Sequence, residues 1–198
     1  MARTIAKDYG AKRRLILDRA AKLFADEGFD RASVSAVAKA CNISKANIYH
    51  YYKSKDEILF DILDRYLSAL DVRICGMETK GMTAEERFRA TIVEVLLAYQ
   101  GADNEHRLQT NSLDYLPDEQ KAVLVGYQRN LVAHFSALVE AIAPEVFAND
   151  KAKLRSATMS LFGMLNWFYM WNRDESDTAR KDYAEVVCKL CLRGIPGL

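Results

Sequence analysis

The residues with the most specific chemistry lie close together, at positions 44–51. Lys45 supplies a cation, Asn47 an amide that can pair bidentately with adenine, and Tyr49 and His50 aromatic rings that carry hydrogen-bonding groups. Side chains of these types suit the base edges and phosphates of DNA. The segment therefore predicts a contact with double-stranded DNA.

Two short helices must position these side chains. Ser33 and Ser44 each stand where a residue can cap a helix N-terminus. The apolar positions that turn inward are Val34, Val37 and Ala38 in the first helix and Ile48 in the second. The outward positions of the second helix are Lys45, Ala46, Asn47, Tyr49 and His50.

A tight turn at residues 41–43 joins the two helices. Asn42 is one of the few non-glycine residues that tolerate a left-handed backbone, which a short turn between roughly perpendicular helices requires. Small Ala38 allows the helix axes to approach closely, and Ile43 covers the corner beneath them. The pattern predicts a helix-turn-helix unit for the major groove. An ordinary helical hairpin with a polar, solvated face is the alternative.

The charge distribution favours DNA binding over the plain hairpin. Residues 1–55 carry 12 Lys and Arg against 5 Asp and Glu, whereas the remaining 143 residues carry 16 against 22. A basic head thus precedes an acidic body, as expected where only one end of a protein meets a polyanion. Lys12, Arg13 and Arg14 in the head either reach phosphates or form a solvated basic end.

The whole chain is predicted to be all-α, with about nine helices. Its three prolines lie at 117, 144 and 196, and no segment alternates apolar and polar residues as a strand would. Gly28 can end the first helix as a left-handed cap, with Phe29 folded back onto it. A long helix begins at Ser54, and further helical segments cover about 88–99, 104–116, 124–142, 154–171 and 183–192. We expect a head at 1–54 and a body at 55–198.

A second copy of the chain is the predicted partner of the body. Residues 159–171 are apolar on nearly every side, so none of that helix's faces suits solvent. The body's own core can cover one face, and a homodimer through the helices near 151–172 and 178–193 can cover another. Two-fold symmetry would place two heads about one DNA turn, or a multiple of it, apart, which suits a palindromic operator.

No constellation of residues indicates catalysis, a metal or a cofactor. Cys188 and Cys191 form a C-x-x-C within a helical pattern, which favours buried helical cysteines over a zinc or redox site. His50, His106 and His134 have no metal-ligand spacing. A nucleophile elbow, a phosphate loop and a paired-histidine motif are also missing from the sequence, so we expect no enzyme.

Two further function classes are disfavoured. A non-specific DNA-packaging protein fits poorly with an acidic body and a closed dimer. An exported or membrane protein fits poorly because the first residues form no apolar signal segment and no apolar run approaches 18 residues. We therefore expect a cytoplasmic protein.

Residues 10–62 resemble the DNA-binding head of the tetracycline-repressor (TetR) family of bacterial one-component regulators. The resemblance rests on AAKLF at 20–24, GF at 28–29, SVSAVA at 33–38, ISKANIY at 43–49 and KSKDEIL at 53–59. Two positions depart from the family pattern: Asn42 stands where glycine is usual, and Tyr52 where phenylalanine is usual. Asparagine is the mildest replacement for a left-handed glycine, and tyrosine can keep the packing if its hydroxyl reaches an edge.

The resemblance implies a role for each polar residue of the head. Ser33 and Lys55 would bind phosphate at helix N-termini, and Tyr49 and Tyr51 would touch the DNA backbone. Base edges would be approached by Lys45, Ala46, Asn47 and His50. With the cap residue included, the candidate DNA-binding set is Ser33, Ser44, Lys45, Ala46, Asn47, Tyr49, His50, Tyr51 and Lys55.

The resemblance also implies a repressor whose body binds a small molecule and then releases DNA. The pocket would lie among the helices around 83–142 and the face of 154–171 that points away from the dimer partner. Methionine and aromatic side chains suit an adaptable apolar pocket. The candidate wall residues are Phe88, Ile92, Tyr99, Tyr127, Phe135, Met159, Phe162, Met164, Trp167, Phe168 and Trp171.

Two classes of effector stay open. Residues 161–171 resemble a segment of TetR-type regulators of acyl-coenzyme A catabolism, which favours an acyl-CoA thioester. Its phosphates would need cations near the pocket mouth, and those available are His106, Arg107, Arg129, Arg155 and Arg173. The alternative is a repressor of a multidrug efflux gene that senses aromatic or cationic drugs.

Overall fold

A computed structural model describes the backbone of residues 2–197 and the side chains of residues 9–197. Over this range the chain contains helices and no strand, which confirms the predicted all-α class. The α-helices are α1 (Ala2–Glu27), α2 (Val34–Ala40), α3 (Lys45–Tyr49), α4 (Lys55–Cys75), α5 (Ala84–Ala98), α6 (Asp103–Asn111), α7 (Asp118–Ile142), α8 (Pro144–Phe147), α9 (Lys151–Trp171) and α10 (Asp177–Gly194). Short 3₁₀ segments cover Leu113–Tyr115 and Ile195–Gly197.

The described residues contain ten α-helices where the sequence predicted about nine. The additional one is α8, a single turn of four residues that begins with Pro144 at its first position. Proline is favoured there because its missing N–H has no partner in the first turn in any case. None of the helices in the described range is long and apolar enough to cross a membrane.

The helices form two compact units. The first unit comprises the described residues through Leu67 and the segment Asn104–Val125, and the second comprises Ser68–Asp103 and the described residues from Gly126 onward. The three divisions between the units fall inside α4, after the first residue of α6, and inside α7. The boundary between residues 54 and 55 that we predicted for a head and a body stays a prediction.

The core of the first unit is built from the apolar stripe of α1 and the inner faces of α2 to α4. Phe24 of α1, Val37 of α2 and Ile48 of α3 are buried to at least 99%. Gly28 ends α1 with φ at +87°, and Phe29 folds back so that its ring lies edge-on to Phe24 at 5.2 Å between centroids. The predicted left-handed cap of α1 is thereby confirmed.

The turn between α2 and α3 has the conformation that the sequence predicted. Asn42 is the only non-glycine residue of the described chain with a positive φ, at +55°. Its backbone N–H donates to the carbonyl of Lys39 at 3.1 Å, and the N–H of Ile43 donates to the carbonyl of Ala38 at 3.0 Å. These bonds satisfy the last carbonyls of α2 and turn the chain directly into α3.

In the second unit, α5 packs mainly against α10. Thr83 and Glu86 form a reciprocal capping box at the start of α5, which buries Phe88, Ile92 and Val95 completely. Arg180 of α10 is 96% buried and donates from Nη1 to the carbonyl of Leu96 at 3.1 Å, in the last turn of α5. A cation at a helix C-terminus is favoured by the helix dipole, so Arg180 ties α10 to the end of α5.

Asn42 gives a direct test of the turn. We expect Asn42→Val to lower the free energy of unfolding by about 1–2 kcal/mol, because a branched side chain clashes in the left-handed region. Asn42→Gly should stay within about 0.5 kcal/mol of the wild type, since glycine adopts this conformation freely. Urea denaturation at a fixed protein concentration measures both. Equal losses for the two variants would contradict the assigned role.

Candidate nucleic-acid interface

The hydroxyls of Ser33 and Ser44 cap the two helices of the helix-turn-helix unit. The Ser33 hydroxyl accepts from the N–H of Ala36 at 3.1 Å, and the Ser44 hydroxyl accepts from the N–H of Asn47 at 3.1 Å. Both capping residues have the extended backbone typical of the position. Both predicted caps are confirmed, whereas the phosphate contact of Ser33 stays a prediction.

The outward face of α3 carries five of the nine candidate DNA-binding residues. Ile48 is completely buried and fixes the opposite face against the unit's core. Lys45 Nζ lies 5.8 Å from the centroid of the Tyr49 ring, so the cation and the ring share one surface. The residues of this exposed face are Lys45, Ala46, Asn47, Tyr49 and His50.

Tyr51 stands beside this face and is held by a residue that the sequence did not single out. Its half-buried ring stacks on the ring of Tyr9 from α1, with 4.7 Å between centroids and 28° between planes. Such a stack stabilises the observed orientation of the Tyr51 ring. The backbone contact of Tyr51 with DNA stays a prediction.

Lys55 has a structural task that the sequence did not reveal. Its ammonium donates to the carbonyls of Phe29, Asp30 and Ala32 at 2.6, 3.1 and 3.0 Å, and it lies 4.3 Å from the centroid of the Phe29 ring. These three bonds use all the donors of an ammonium group. A phosphate at Lys55 would have to compete with the carbonyls, so the phosphate contact stays a prediction that the side-chain geometry does not favour.

Two side-chain hydrogen bonds stabilise the start of α4. The hydroxyl of Ser54 accepts from the N–H of Glu57 at 3.1 Å, and the carboxylate of Glu57 accepts from the N–H of Lys53 at 2.6 Å. The first bond is a helix N-cap, and the second joins Glu57 to the residue before the cap. Together the two bonds fix the conformation of the chain between α3 and α4.

Tyr52, which replaces the family's usual phenylalanine, anchors the end of the reading segment to two other helices. Its ring is 95% buried, and its hydroxyl donates to a carboxylate oxygen of Asp61 on α4. Arg13 of α1 donates from Nε to the same hydroxyl at 3.1 Å and pairs with Asp61 at 2.7 Å. Burial, together with the bond to Asp61, raises the pKa of the Tyr52 hydroxyl.

This network gives Arg13 a contact that neither interpretation of the basic start of α1 included. The hydrogen bond to Tyr52 raises the pKa of the guanidinium, with Asp61 contributing in the same direction. Arg13 therefore makes an internal contact, and a phosphate contact for it stays a prediction. Tyrosine can replace phenylalanine at position 52 if its hydroxyl finds a polar partner at the edge of the packed core. Asp61 and Arg13 are these partners.

The predicted ligand-wall residues do not share one environment. In the second unit, Phe135 and Phe162 contact each other edge to face at 4.9 Å, and the hydroxyl of Tyr99 donates to Asn166 at 2.8 Å. The buried members are Phe88, Ile92, Tyr99, Phe135 and Phe168. The half-buried members are Tyr127, Phe162 and Met164.

Met159, Trp167 and Trp171 are the exposed members of the predicted wall. Their exposed fractions are 46%, 60% and 55%. Met159 lines a cleft between α7 and α9, whereas the Trp171 ring lies 5.1 Å from the rings of Phe168 and of Tyr183. A ligand contact for each of the three stays a prediction.

A cleft of about 240 Å³ lies in the second unit between α7 and α9. Val132 and Leu154 supply apolar surface, Ser136 a hydroxyl, and Lys151 and Arg155 supply cations. Lys151 is paired with Glu140 at 2.9 Å. Among the cations proposed for a pocket mouth, Arg155 lines this cleft, whereas His106 is 98% buried and bonded to Tyr66 at 3.0 Å.

The C-x-x-C pair behaves as buried thiols, as its helical pattern indicated. Cys188 and Cys191 are both free and buried. Burial raises the pKa of the Cys188 thiol to about 12 and that of Cys191 to about 11, which keeps both protonated at neutral pH. Among the residues whose side chains are described, no group of three or more His, Cys, Asp and Glu is arranged to hold a metal ion.

Family models match both parts of the chain. The model described as "Bacterial regulatory proteins, tetR family" matches residues 16–62, and "Tetracyclin repressor-like, C-terminal domain" matches residues 81–195. The HTH-type transcriptional regulator YuxN of Bacillus subtilis is 30% identical over 131 residues, which are 65% of this chain and 45% of the relative. The chain thus spans less than half the length of this curated relative.

Solved structures share the fold over nearly the whole chain. A TetR-family transcriptional regulator from Bordetella parapertussis has a TM-score of 0.85 and 31% identity, covering 94% of this chain and 96% of its own. AibR, solved in complex with isovaleryl coenzyme A and operator DNA, has a TM-score of 0.75 and 22% identity, covering 91% and 98%. The ketosteroid regulator KstR2 of Mycobacterium tuberculosis has a TM-score of 0.77 and 15% identity, covering 89% and 93%.

The hydroxyl of Tyr52 can be removed without changing the shape of the ring. We expect Tyr52→Phe to lower the free energy of unfolding by about 1–2 kcal/mol, because the bonds to Asp61 and Arg13 are lost in a buried site. Tyr49→Phe, which removes an exposed hydroxyl, should stay within about 0.5 kcal/mol of the wild type. Urea denaturation measures both, and a Tyr52→Phe variant as stable as the wild type would contradict the network's role.

Proposed function

Because the chain belongs to the TetR family of bacterial transcriptional regulators, we propose that it is a repressor that binds a palindromic operator as a homodimer. A small hydrophobic effector would enter the body and release the DNA. The observation that carries the proposal is the exposed polar face of α3, backed by the fully buried Ile48. Lys45, Asn47 and His50 on this face offer the donors and acceptors that base edges in the major groove require.

The architecture of the head supports direct reading of bases by α3. Five residues are too few for a helix that is stable alone, yet α3 is capped at Ser44 and followed by the buried anchor Tyr52. A reading helix fixed in this way loses little conformational freedom when it binds DNA. Phosphate contacts from Ser33, Tyr49 and Tyr51 would then set its register on the duplex.

The surface of α9 and α10 supports the homodimer. Exposed apolar side chains recur along α9 and also along α10, where Val186 and Leu190 are 50% and 59% exposed one helical turn apart. Large apolar side chains exposed on neighbouring turns of a helix suit an association surface. The exposed apolar residues of the two helices are Met159, Trp167, Met170, Trp171, Val186 and Leu190.

We assign the effector to the acyl-CoA thioesters. AibR, which has the same fold, was solved with isovaleryl coenzyme A, and this precedent supports the assignment. The cleft between α7 and α9 combines apolar surface from Val132 and Leu154 with the cations Lys151 and Arg155, which suits an apolar group joined to phosphates. At about 240 Å³, this cleft can hold only a part of such a molecule.

Release requires that the effector prefer a conformation that does not fit the operator. A shift from 1:99 to 99:1 between two conformations needs roughly 5.5 kcal/mol of differential affinity. We propose α4 as the element that transmits the change, because it follows α3 directly in the chain and one division between the two units falls within it. Its first residue, Lys55, holds the loop that precedes α2, and Asp61 one turn and a half later holds Tyr52.

The reading face can be tested separately from dimerisation. We expect Lys45→Ala and Asn47→Ala each to abolish detectable binding to the operator in a mobility-shift assay, while sedimentation velocity still shows a dimer. Lys39→Ala on α2, which also removes one exposed cation, serves as the matched control and should weaken binding only modestly. Unchanged operator affinity in both α3 variants, or a monomer at micromolar concentration, would contradict the proposal.

The effector class can be tested with two probes of different chemistry. We expect calorimetry to detect binding of isovaleryl coenzyme A, with Arg155→Ala weakening it about tenfold, the factor for losing one charge-assisted hydrogen bond of roughly 1.4 kcal/mol. Lys39→Ala should leave this affinity unchanged. Tetraphenylphosphonium, a lipophilic cation, should not depend on Arg155. Tight binding of that cation without any binding of the thioester would favour an efflux regulator that senses drugs.

A further inference from the structure

A second cleft lies in the first unit, whereas the cleft to which we assign the effector lies in the second unit. The second cleft is formed by the end of α1, the loop after it and the segment from α6 to the 3₁₀ turn, and its volume is about 210 Å³. Phe24, Phe29 and Leu108 form an apolar floor, with exposed fractions of 1%, 4% and 2%. Ligand sites usually measure roughly 300–1,000 Å³, so an occupant of this cleft must be small.

Ser112 gives the cleft a polar side chain. The residue lines the cleft and is 97% buried. Its backbone N–H donates to the carbonyl of Leu108 at 2.9 Å and its carbonyl accepts from the N–H of Tyr115 at 3.2 Å. The Ser112 hydroxyl, as a donor and an acceptor, can hydrogen-bond to a polar atom of an occupant.

Opposite charges stand at the rim of the cleft. Arg107 lines it on one side, and its ion pair with Asp26 is long, at 3.8 Å. Asp30 also lines the cleft; its backbone carbonyl accepts from Lys55, and its carboxylate has no ion pair among the described residues. One guanidinium and one carboxylate around an apolar floor complement a molecule that carries both an anion and a cation.

We propose that this cleft binds a free α-amino acid with an apolar side chain. The carboxylate would pair with Arg107, the ammonium with Asp30, and the side chain would cover Phe24 and Leu108. The hydroxyl of Ser112 would donate to a carboxylate oxygen. A simple fatty acid or a simple amine would satisfy only one of the two charges and would leave the other unpaired.

The cleft's location gives such a ligand access to the DNA-binding head. Gly28 and Phe29, which line the cleft, belong to the loop that leads to Ser33, the cap of α2. The ammonium of Lys55 donates to three backbone carbonyls of the same loop. An amino acid in the cleft would therefore contact the loop whose conformation sets the start of the helix-turn-helix unit.

Titration of the full-length ¹⁵N-labelled protein, without DNA, tests the proposal by nuclear magnetic resonance. L-leucine should shift the amide signals of Gly28, Ser112 and Tyr115 in a saturable way, with a dissociation constant of roughly millimolar order for so small a ligand. Two probes with the same carbon skeleton, 4-methylpentanoate and 3-methylbutylamine, each lack one charge. Both should bind about tenfold more weakly, as expected for the loss of one charge-assisted hydrogen bond.

Variants at the exposed rim separate the two charges without disturbing the core. Arg107→Gln and Asp30→Asn should each reduce the affinity for L-leucine about tenfold, and Arg155→Gln in the other unit should leave it unchanged. The proposal is wrong if L-leucine causes no saturable shifts, if 4-methylpentanoate binds as tightly as L-leucine, or if neither rim variant changes the affinity. Because no operator is used, these outcomes are independent of the test of repression.

Discussion

Three backbone carbonyls between α1 and α2 converge on the ammonium of Lys55, and the geometry of the DNA-reading head depends on that contact. Buried carbonyls need partners, and a loop that leaves one helix and enters another within six residues has few N–H groups to offer. Lys55 supplies the missing donors from the first turn of α4. The loop, the cap of α2 and the start of α4 are therefore positioned by one cation.

The other contacts of the head extend the same principle. A helix of five residues has no stability of its own, so its direction must be fixed by neighbours. Ile48 fixes it from beneath, Asn42 from the turn, and Tyr52 from its far end through Asp61 and Arg13. Together these contacts leave the outward side chains of α3 exposed on a backbone that three other helices hold in place.

The sequence predicted those parts of the fold that depend on neighbouring residues. Backbone conformation and helix capping are local properties. The sequence could therefore predict the left-handed conformation of Gly28 and Asn42 and the caps at Ser33 and Ser44. The exposed face of α3 followed from helical spacing, and the all-α class from the absence of strand-like alternation. The DNA-contacting and ligand-contacting roles of individual residues stay predictions.

The contacts that sequence reasoning missed connect distant positions. Arg13 and Tyr52 are 39 residues apart, and Arg180 and Leu96 are 84 apart. No local sequence pattern distinguishes a cation that has an internal partner from a solvated one. The sequence therefore left two roles open for Arg13 and predicted a phosphate contact for Lys55. Periodicity likewise could not assign the faces of α9, so the exposure of Met159, Trp167 and Trp171 became apparent only in the structure.

The position of the tryptophans has a practical consequence. The chain contains only two, Trp167 and Trp171, and both are more than half exposed on the same surface of α9. Indole emission is sensitive to the polarity around the ring, and every other helix lacks an indole. The tryptophan fluorescence of this protein therefore reports on a single surface, the one we assign to self-association. Changes around the DNA-reading head do not alter this emission directly, because no tryptophan lies there.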